Sequence, residues 1–246
     1  MNSTYLITGS TGIAAATIRL AVREGHAVFF VSHDEESCRA LAEELQTENK
    51  LFGFHVADLT NPTAVTETIQ RCVTRFGRID ALFNVAGISG RRFGDGPIHE
   101  CSVEGWETTF ANNVTTTFLM CREVVTQMLR QPLSETGLRG AIVNMASVLA
   151  VSPEAAHFAT HAYAAGKGAI ISLTKAMAAY YAPHKIRVNA VAPGVVLTEM
   201  GKSIPEESRE QMLKQIPLNR FGTPEEIAQV IVFLCSPLAG YMTGQT

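Results

Sequence analysis

Positive charge is the first thing this sequence has little of. Lys and Arg number 20 against 23 Asp and Glu, a formal net charge of −3, and no basic cluster is longer than Arg91-Arg92. Such a balance excludes nucleic acid or an anionic membrane surface as the main partner. Cysteine is equally sparse. Cys38, Cys72, Cys101, Cys121 and Cys235 are odd in number, widely scattered and never in C-x-x-C spacing. That pattern offers neither a disulfide framework nor a zinc site, so no metal is expected and the thiols read as reduced, in a cytoplasmic protein. Long apolar runs are missing too: nothing approaches a membrane span, and MNSTYLITG is too short and polar for a secretory signal. No Lys follows the first glycines, which excludes a Walker A loop, and there is no internal repeat or low-complexity tract. What remains is globular. Over 246 residues the chain is 46% hydrophobic and 17% charged, ample for the core of one α/β domain spanning residues 1–246.

Periodicity predicts strands alternating with helices. Tyr5-Leu6-Ile7 is a short apolar strand, followed by a helix with Ile13, Ala16, Leu20 and Ala21 on one face and Gly25 as its stop. Ala27 to Val31 is a second strand and Glu35 to Glu48 a second helix. Phe52 to Ala57 is a third strand, and Asn61-Pro62 opens a helix that runs to about Phe76, with Pro at its first position. Ile79 to Asn84, Ala141 to Met145 and Ile186 to Val191 read as three further strands. One long helix is expected from Val103 to about Leu129, another from near Tyr163 to before Pro183. Thr223-Pro224-Glu225-Glu226 is a capping box, and the helix after it offers Ile227, Val230, Ile231 and Leu234 as a core face. This alternation predicts an α/β fold: a doubly wound parallel sheet, three-layered α/β/α and Rossmann-type. The polar stretch from Val195 to Gln215 reads as a substrate lid.

In such a sheet, ligands bind beyond the carboxyl ends of the strands. Gly9, Ser32, Asp58, Asn84 and Ser147 all fall at such ends. Thr8-Gly9-Ser10-Thr11-Gly12 joins a strand to a helix N-terminus, where glycines let the backbone approach a phosphate and free N–H groups face it. About 20 residues on, where an acid would grip the adenosine ribose diol, stands Ser32 with His33 beside it. A serine does not chelate two hydroxyls and does not repel a 2′-phosphate, so the reading leans to NADP, with NAD open. Asp34 reads as a helix cap. Tyr163 and Lys167, four apart on a helix, share a face. A Lys beside a Tyr lowers the phenol pKa, and Ser147 at a strand end is placed to hold a carbonyl or hydroxyl against that phenol. Asn112 and Asn113 sit inside a helix, where Asn is a poor former; such a breach marks a kink or a polar site. Arg91 and Arg92 offer charge to an anionic substrate group, though solvation is the commoner fate of such a pair.

Together these residues resemble the short-chain dehydrogenase/reductase family over almost the whole chain. Thr8-Gly9-Ser10-Thr11-Gly12-Ile13-Ala14 is similar to the family's T-G-x-x-x-G-x-G, with one residue fewer between the glycines and Ala14 in place of the last. Asn84-Val85-Ala86-Gly87 resembles N-N-A-G, and Pro193-Gly194-Val195-Val196-Leu197-Thr198 resembles P-G-x-x-x-T. The resemblance implies an NAD(P)-dependent oxidoreductase acting on a small carbonyl or alcohol. Asn113, Ser147, Tyr163 and Lys167 would be its catalytic residues. Gly9, Ser10, Thr11, Gly12, Ile13, Ser32, His33, Asp58, Leu59, Asn84, Ala86, Gly87, Tyr163, Lys167, Pro193, Gly194, Val196 and Thr198 would bind the cofactor. The family forms dimers and tetramers, so a homo-oligomer is implied. The family also continues past G-Q-T into a last strand, which this sequence lacks after Gly244-Gln245-Thr246. A non-catalytic nicotinamide-binding sensor and a β-ketoacyl-acyl-carrier-protein reductase are the alternatives.

Overall fold

The structure is a computed structural model that describes residues 3–46, 51–198 and 206–246. Six parallel strands form one sheet in the order β3-β2-β1-β4-β5-β6. They are β1 (Thr4–Thr8), β2 (Ala27–Ser32), β3 (Phe52–Val56), β4 (Ala81–Asn84), β5 (Gly140–Met145) and β6 (Ile186–Val191). The helices are α1 (Gly12–Arg23), α2 (Glu35–Gln46), α3 (Pro62–Phe76), α4 (Val103–Phe110), α5 (Thr116–Arg130), α6 (His161–Tyr181), α7 (Glu206–Leu213) and α8 (Pro224–Cys235). The chain winds outward through β1, β2 and β3, then returns to the other side of β1 with β4. That reversal opens a crevice above β1 and β4, where a doubly wound sheet takes its ligand.

Alternate residues along each strand feed two separate cores, because successive side chains leave opposite faces. On one face Ile7, Phe30 and Val143 pack with Ile18 and Val22 of α1, Leu41 and Leu45 of α2, and Ile231 of α8. On the other, Leu6, Phe29, Leu82 and Ile142 pack with Val65 and Ile69 of α3, Val124 and Met128 of α5, and Met177 of α6. Both faces are covered, so the strands are apolar runs rather than alternations. Asn61 caps α3 by accepting from Thr63 N, and the expected capping box opens α8.

Two expectations need correction. Val230 is 46% exposed and lies off the core face of α8, whose buried stripe runs Ala228, Ile231, Val232, Cys235, the i, i+3, i+4, i+7 spacing of one helical face. The long helix from Val103 is interrupted by a π-helical turn, Ala111–Thr115, between α4 and α5. Helix α6 runs from His161 to Tyr181, starting near Tyr163 and ending before Pro183 as expected. The expected lid lies partly outside the described residues, Glu199, Met200 and Gly201 included, as do the last residues of the second helix. The outer edge of β6 is not bare: Gly244 N donates to Val188 O at 2.7 Å and Ala190 N to Gln245 O at 2.8 Å.

Candidate active site above β1, β4 and β5

The glycine turn is built by left-handed backbone. Gly9 (φ +99) and Gly12 (φ +53) both occupy conformations that disfavour a side chain. Helix α1 starts directly at Gly12, so the turn one residue shorter than the family pattern closes through these two glycines. Thr11 makes no side-chain capping bond, and no acidic residue stands in the first turn. The leading N–H groups of α1 are therefore aimed at the crevice without a competing carboxylate, the arrangement that receives a phosphate. A Cβ on Gly12 would sit 3.2 Å from Thr198 Cγ2, so the fold brings Thr198 against the first turn from far along the chain.

Beside this turn, Thr8 Oγ1 accepts from Val85 N at 2.9 Å and Ala86 N at 3.0 Å. That hydroxyl holds the segment after β4 flat. Further on, a Cβ at Gly87 would collide with Asn113 Oδ1 and lie 3.7 Å from Lys167 Nζ. Asn113 sits in the π-helical turn, a feature that gathers at functional sites. Its Nδ2 donates to Ile88 O (3.0 Å) and Thr109 O (2.9 Å), while its Oδ1 is buried with no partner. The breach of helix preference thus marks a polar site at Asn113. Asn112 only bonds Thr108 O in its own helix.

At the end of β5, Ser147 is buried and accepts from Leu149 N at 3.2 Å. Val148 N donates to Pro193 O, binding this end to the Pro193-Gly194 segment after β6. Tyr163 and Lys167 approach from α6, with Nζ 5.4 Å from the centre of the phenol ring. Lys167 is 3% exposed and donates to Met145 O at 2.9 Å. Burial lowers its ammonium from the ordinary lysine value to about 8. The sequence reading has Lys167 lower the Tyr163 phenol. In the structure burial dominates and raises that phenol, and the hydrogen bond from Ser147 pulls the other way.

The structure leaves other predicted residues with local duties. Ser32 Oγ accepts from Asp34 N, and the Asp34 carboxylate turns to the N-terminus of α2, accepting from Glu36 N (3.1 Å) and Ser37 N (3.4 Å). His33 is exposed beside them. Ser10 Oγ lies 2.6 Å from Ser37 Oγ. Asp58 is exposed and closes a turn with Thr60, while the Leu59 side chain packs in the core. Val196 bridges to Gly222. The Asn84 side chain points below the crevice, where Nδ2 donates to Asn144 Oδ1 at 2.9 Å. Asn144 Nδ2 in turn donates to Thr174 Oγ1 at 2.9 Å. This chain of polar bonds locks β4, β5 and α6 in register. Asn144 was legible only as a polar residue within an apolar strand. Arg91 donates to His157 O and stacks on Phe158, and Arg92 lies over Phe93, so Arg91 is committed to holding two loops together. Among the described residues no group of three or more His, Cys, Asp or Glu is placed to hold a metal ion. None of the described helices is long and apolar enough to cross a membrane.

Comparison with known proteins bears on the family and the fold. A family model described as enoyl-(acyl carrier protein) reductase matches residues 7–246. The chain is 37% identical over 243 residues to 3-oxoacyl-[acyl-carrier-protein] reductase FabG of Thermotoga maritima, covering 98% of this chain and 93% of that protein. It is 36% identical over 241 residues to D-threitol dehydrogenase of Mycolicibacterium smegmatis, covering 97% and 88%. A solved structure of NAD+-bound xylitol dehydrogenase superposes with a TM-score of 0.89 at 30% identity, covering 99% of this chain and 95% of that one. The chain belongs to the short-chain dehydrogenase/reductase family and is an NAD(P)-dependent oxidoreductase that moves a hydride between a nicotinamide and a carbonyl or secondary-alcohol carbon.

Proposed function

We propose that Tyr163 is the general acid for carbonyl reduction and the general base for alcohol oxidation. Ser147 holds the substrate oxygen and stabilises charge developing there. Lys167 and Asn113 supply the proton route behind Tyr163. The observation that carries this reading is the buried, unpartnered Oδ1 of Asn113, which converges with Lys167 Nζ on the bare face of Gly87. A buried carbonyl oxygen in that position calls for a water, and a water there joins Lys167 to the interior of the π-helical turn. The dinucleotide, when bound, supplies or accepts the hydride. Gly9, Gly12 and the N-terminus of α1 receive its phosphates, with Thr198 alongside, and Ala86 and Gly87 leave room for its flat ring.

At the end of β2, where an acid would hold the adenosine ribose, stands Ser32, and the Asp34 carboxylate is spent on α2. This supports NADP over NAD. The committed Arg91 leaves little basic surface for a carrier protein and favours a small free carbonyl or alcohol as substrate. Exposed Trp106 and Phe118 on α4 and α5, with Leu238 and Tyr241 after α8, fit a homo-oligomer, and the unpaired thiols fit the cytoplasm.

The test is thermal-shift titration with NADP(H) and NAD(H), followed by a panel of small carbonyls and alcohols read at the nicotinamide absorbance. The reading expects tighter NADP(H) binding and turnover of at least one carbonyl. Binding with no turnover across the panel would favour a sensor. Gly87→Ala gives a sharper check. The added methyl must push Asn113 Oδ1 aside, so kcat is expected to fall at least about 10-fold and stability by about 1–3 kcal/mol, the usual range for overpacking. Unchanged kcat in a folded Gly87→Ala protein would remove Asn113 from the proton route.

A further inference from the structure

The first N–H groups of α6 have no partner within their own helix, and Thr160, at the N-cap, makes no side-chain capping bond. The donors are met instead from a distant loop. Asp95 Oδ1 accepts from Ala162 N at 3.0 Å, Asp95 Oδ2 from Tyr163 N at 2.9 Å, and Gly96 O from His161 N at 3.2 Å. Three successive N–H groups of the catalytic helix, that of Tyr163 included, are thus held by two adjacent residues more than 60 positions earlier.

Asp95 is itself fixed. It is 6% exposed, and its loop is pressed onto α4 at points where only glycine fits. A Cβ on Gly90 (φ +76) would stand 2.9 Å from Asp95 Cβ and collide with Thr109 Oγ1. A Cβ on Gly105 would meet Gly94 O at 2.6 Å and Asp95 N at 2.7 Å, both backbone atoms. The same loop begins at Ile88, whose carbonyl anchors Asn113. One rigid segment therefore grips Asn113 at its start and the backbone of Tyr163 at its end. A carboxylate with two charge-assisted bonds at a helix N-terminus is a strong and directional anchor.

We propose that Asp95 is the positioning residue for Tyr163. Its two oxygens lock α6 to the loop after β4 and so set the phenol against Ser147 and the crevice. A helix cap that served folding alone would not need to bond the backbone of the reacting tyrosine from the loop that carries the other half of the site.

Asp95→Asn keeps shape and one acceptor but sets an amide N–H₂ against a backbone N–H. Two readouts separate positioning from simple stabilisation. The first is NMR of protein labelled with ¹³Cζ-tyrosine, with Tyr163 assigned by its loss in Tyr163→Phe. The Tyr163 resonance is expected to shift or broaden while the other four tyrosines of the five in the chain stay in place. The second is kinetics with NADPH and ethyl acetoacetate as a probe carbonyl. Here kcat is expected to fall about 10- to 100-fold, the cost of misplacing a reacting group by about an ångström, with KM and NADPH affinity within threefold. Asp95→Ser, which retains one short acceptor, is the second variant and is expected to give the same signature should Asp95→Asn not fold. A folded variant with lowered stability but an unmoved Tyr163 resonance, or one with unchanged kcat, overturns the assignment. The proposal rests on Tyr163 being the acid and base. If Tyr163→Phe keeps its turnover that reading falls, whereas an unmoved resonance in Asp95→Asn removes only the role of Asp95.

Discussion

Tyr163→Phe is expected to lower kcat by about 10³- to 10⁴-fold, the upper part of the range for losing one positioned proton donor, while binding of the dinucleotide changes less than about twofold. The substitution removes a single oxygen. The ring keeps its place on α6 and its packing against Lys167, whose Nζ lies 5.4 Å from the ring centre. What is lost is the hydroxyl that the Ser147 side chain influences, worth about 1 kcal/mol in stability. In the transition state the expected loss is about 4–5.5 kcal/mol, because in the proposed reaction that hydroxyl gives or takes the substrate proton. Steady-state kinetics, with cofactor titration by nicotinamide fluorescence, separates the two quantities. Turnover near that of the unaltered protein, with its proper substrate, would show that another group carries the proton.

Lys167→Met carries the second large effect, and it has two parts. Activity is expected to fall about 10²- to 10³-fold, the cost of removing one preorganised donor from the reacting centre. The other part concerns stability against pH. Burial holds the Lys167 ammonium at about 8, below its ordinary value of 10.5. Between these two values the unfolded chain binds more protons than the folded one, so this residue makes the fold more stable as pH rises from 8 to 10.5. Below pH 8 the lysine is charged in both states and its burial cost is constant. A shift of this size corresponds to roughly 3 kcal/mol. Urea midpoints should be compared between the unaltered protein and Lys167→Met from pH 7 to 10.5. The difference isolates the lysine from the buried thiols of Cys72, Cys121 and Cys235. Those are pushed up to about 12 by burial and act in the opposite sense above pH 9. A difference that does not change with pH would mean that Lys167 titrates normally in the fold.

Most of the architecture could be read in the chain because it rests on local rules. Apolar runs of the right length, glycines and capping residues at their ends, and the strict alternation of the two element types specify a parallel sheet covered on both faces. The strand-end positions were legible for the same reason, since each is a few residues from a recognisable run. Ser147, Tyr163 and Lys167 were named on residue type and spacing, and Asn113 on the resemblance to the family.

Three things were not legible, and each depends on contacts between distant residues. The π-helical turn at Ala111–Thr115 has no local spacing signal beyond an ill-placed Asn, and only its packing gives Asn113 a buried oxygen aimed past Gly87. The direction of the Tyr163 phenol was misread because the Tyr-Lys spacing shows a neighbouring charge but not the desolvation that outweighs it. Asp95 stands in a glycine-rich loop without periodicity, and nothing near it in sequence hints that its carboxylate holds the helix of Tyr163. By itself, then, the sequence determined the sheet and the layers and named the candidate reacting residues, because local preference and pattern encode them. The tertiary structure alone decided which polar groups are buried, which charges are strained by that burial, and which distant loop caps the helix that carries Tyr163. Desolvation and long-range hydrogen bonds exist only once the chain has closed on itself.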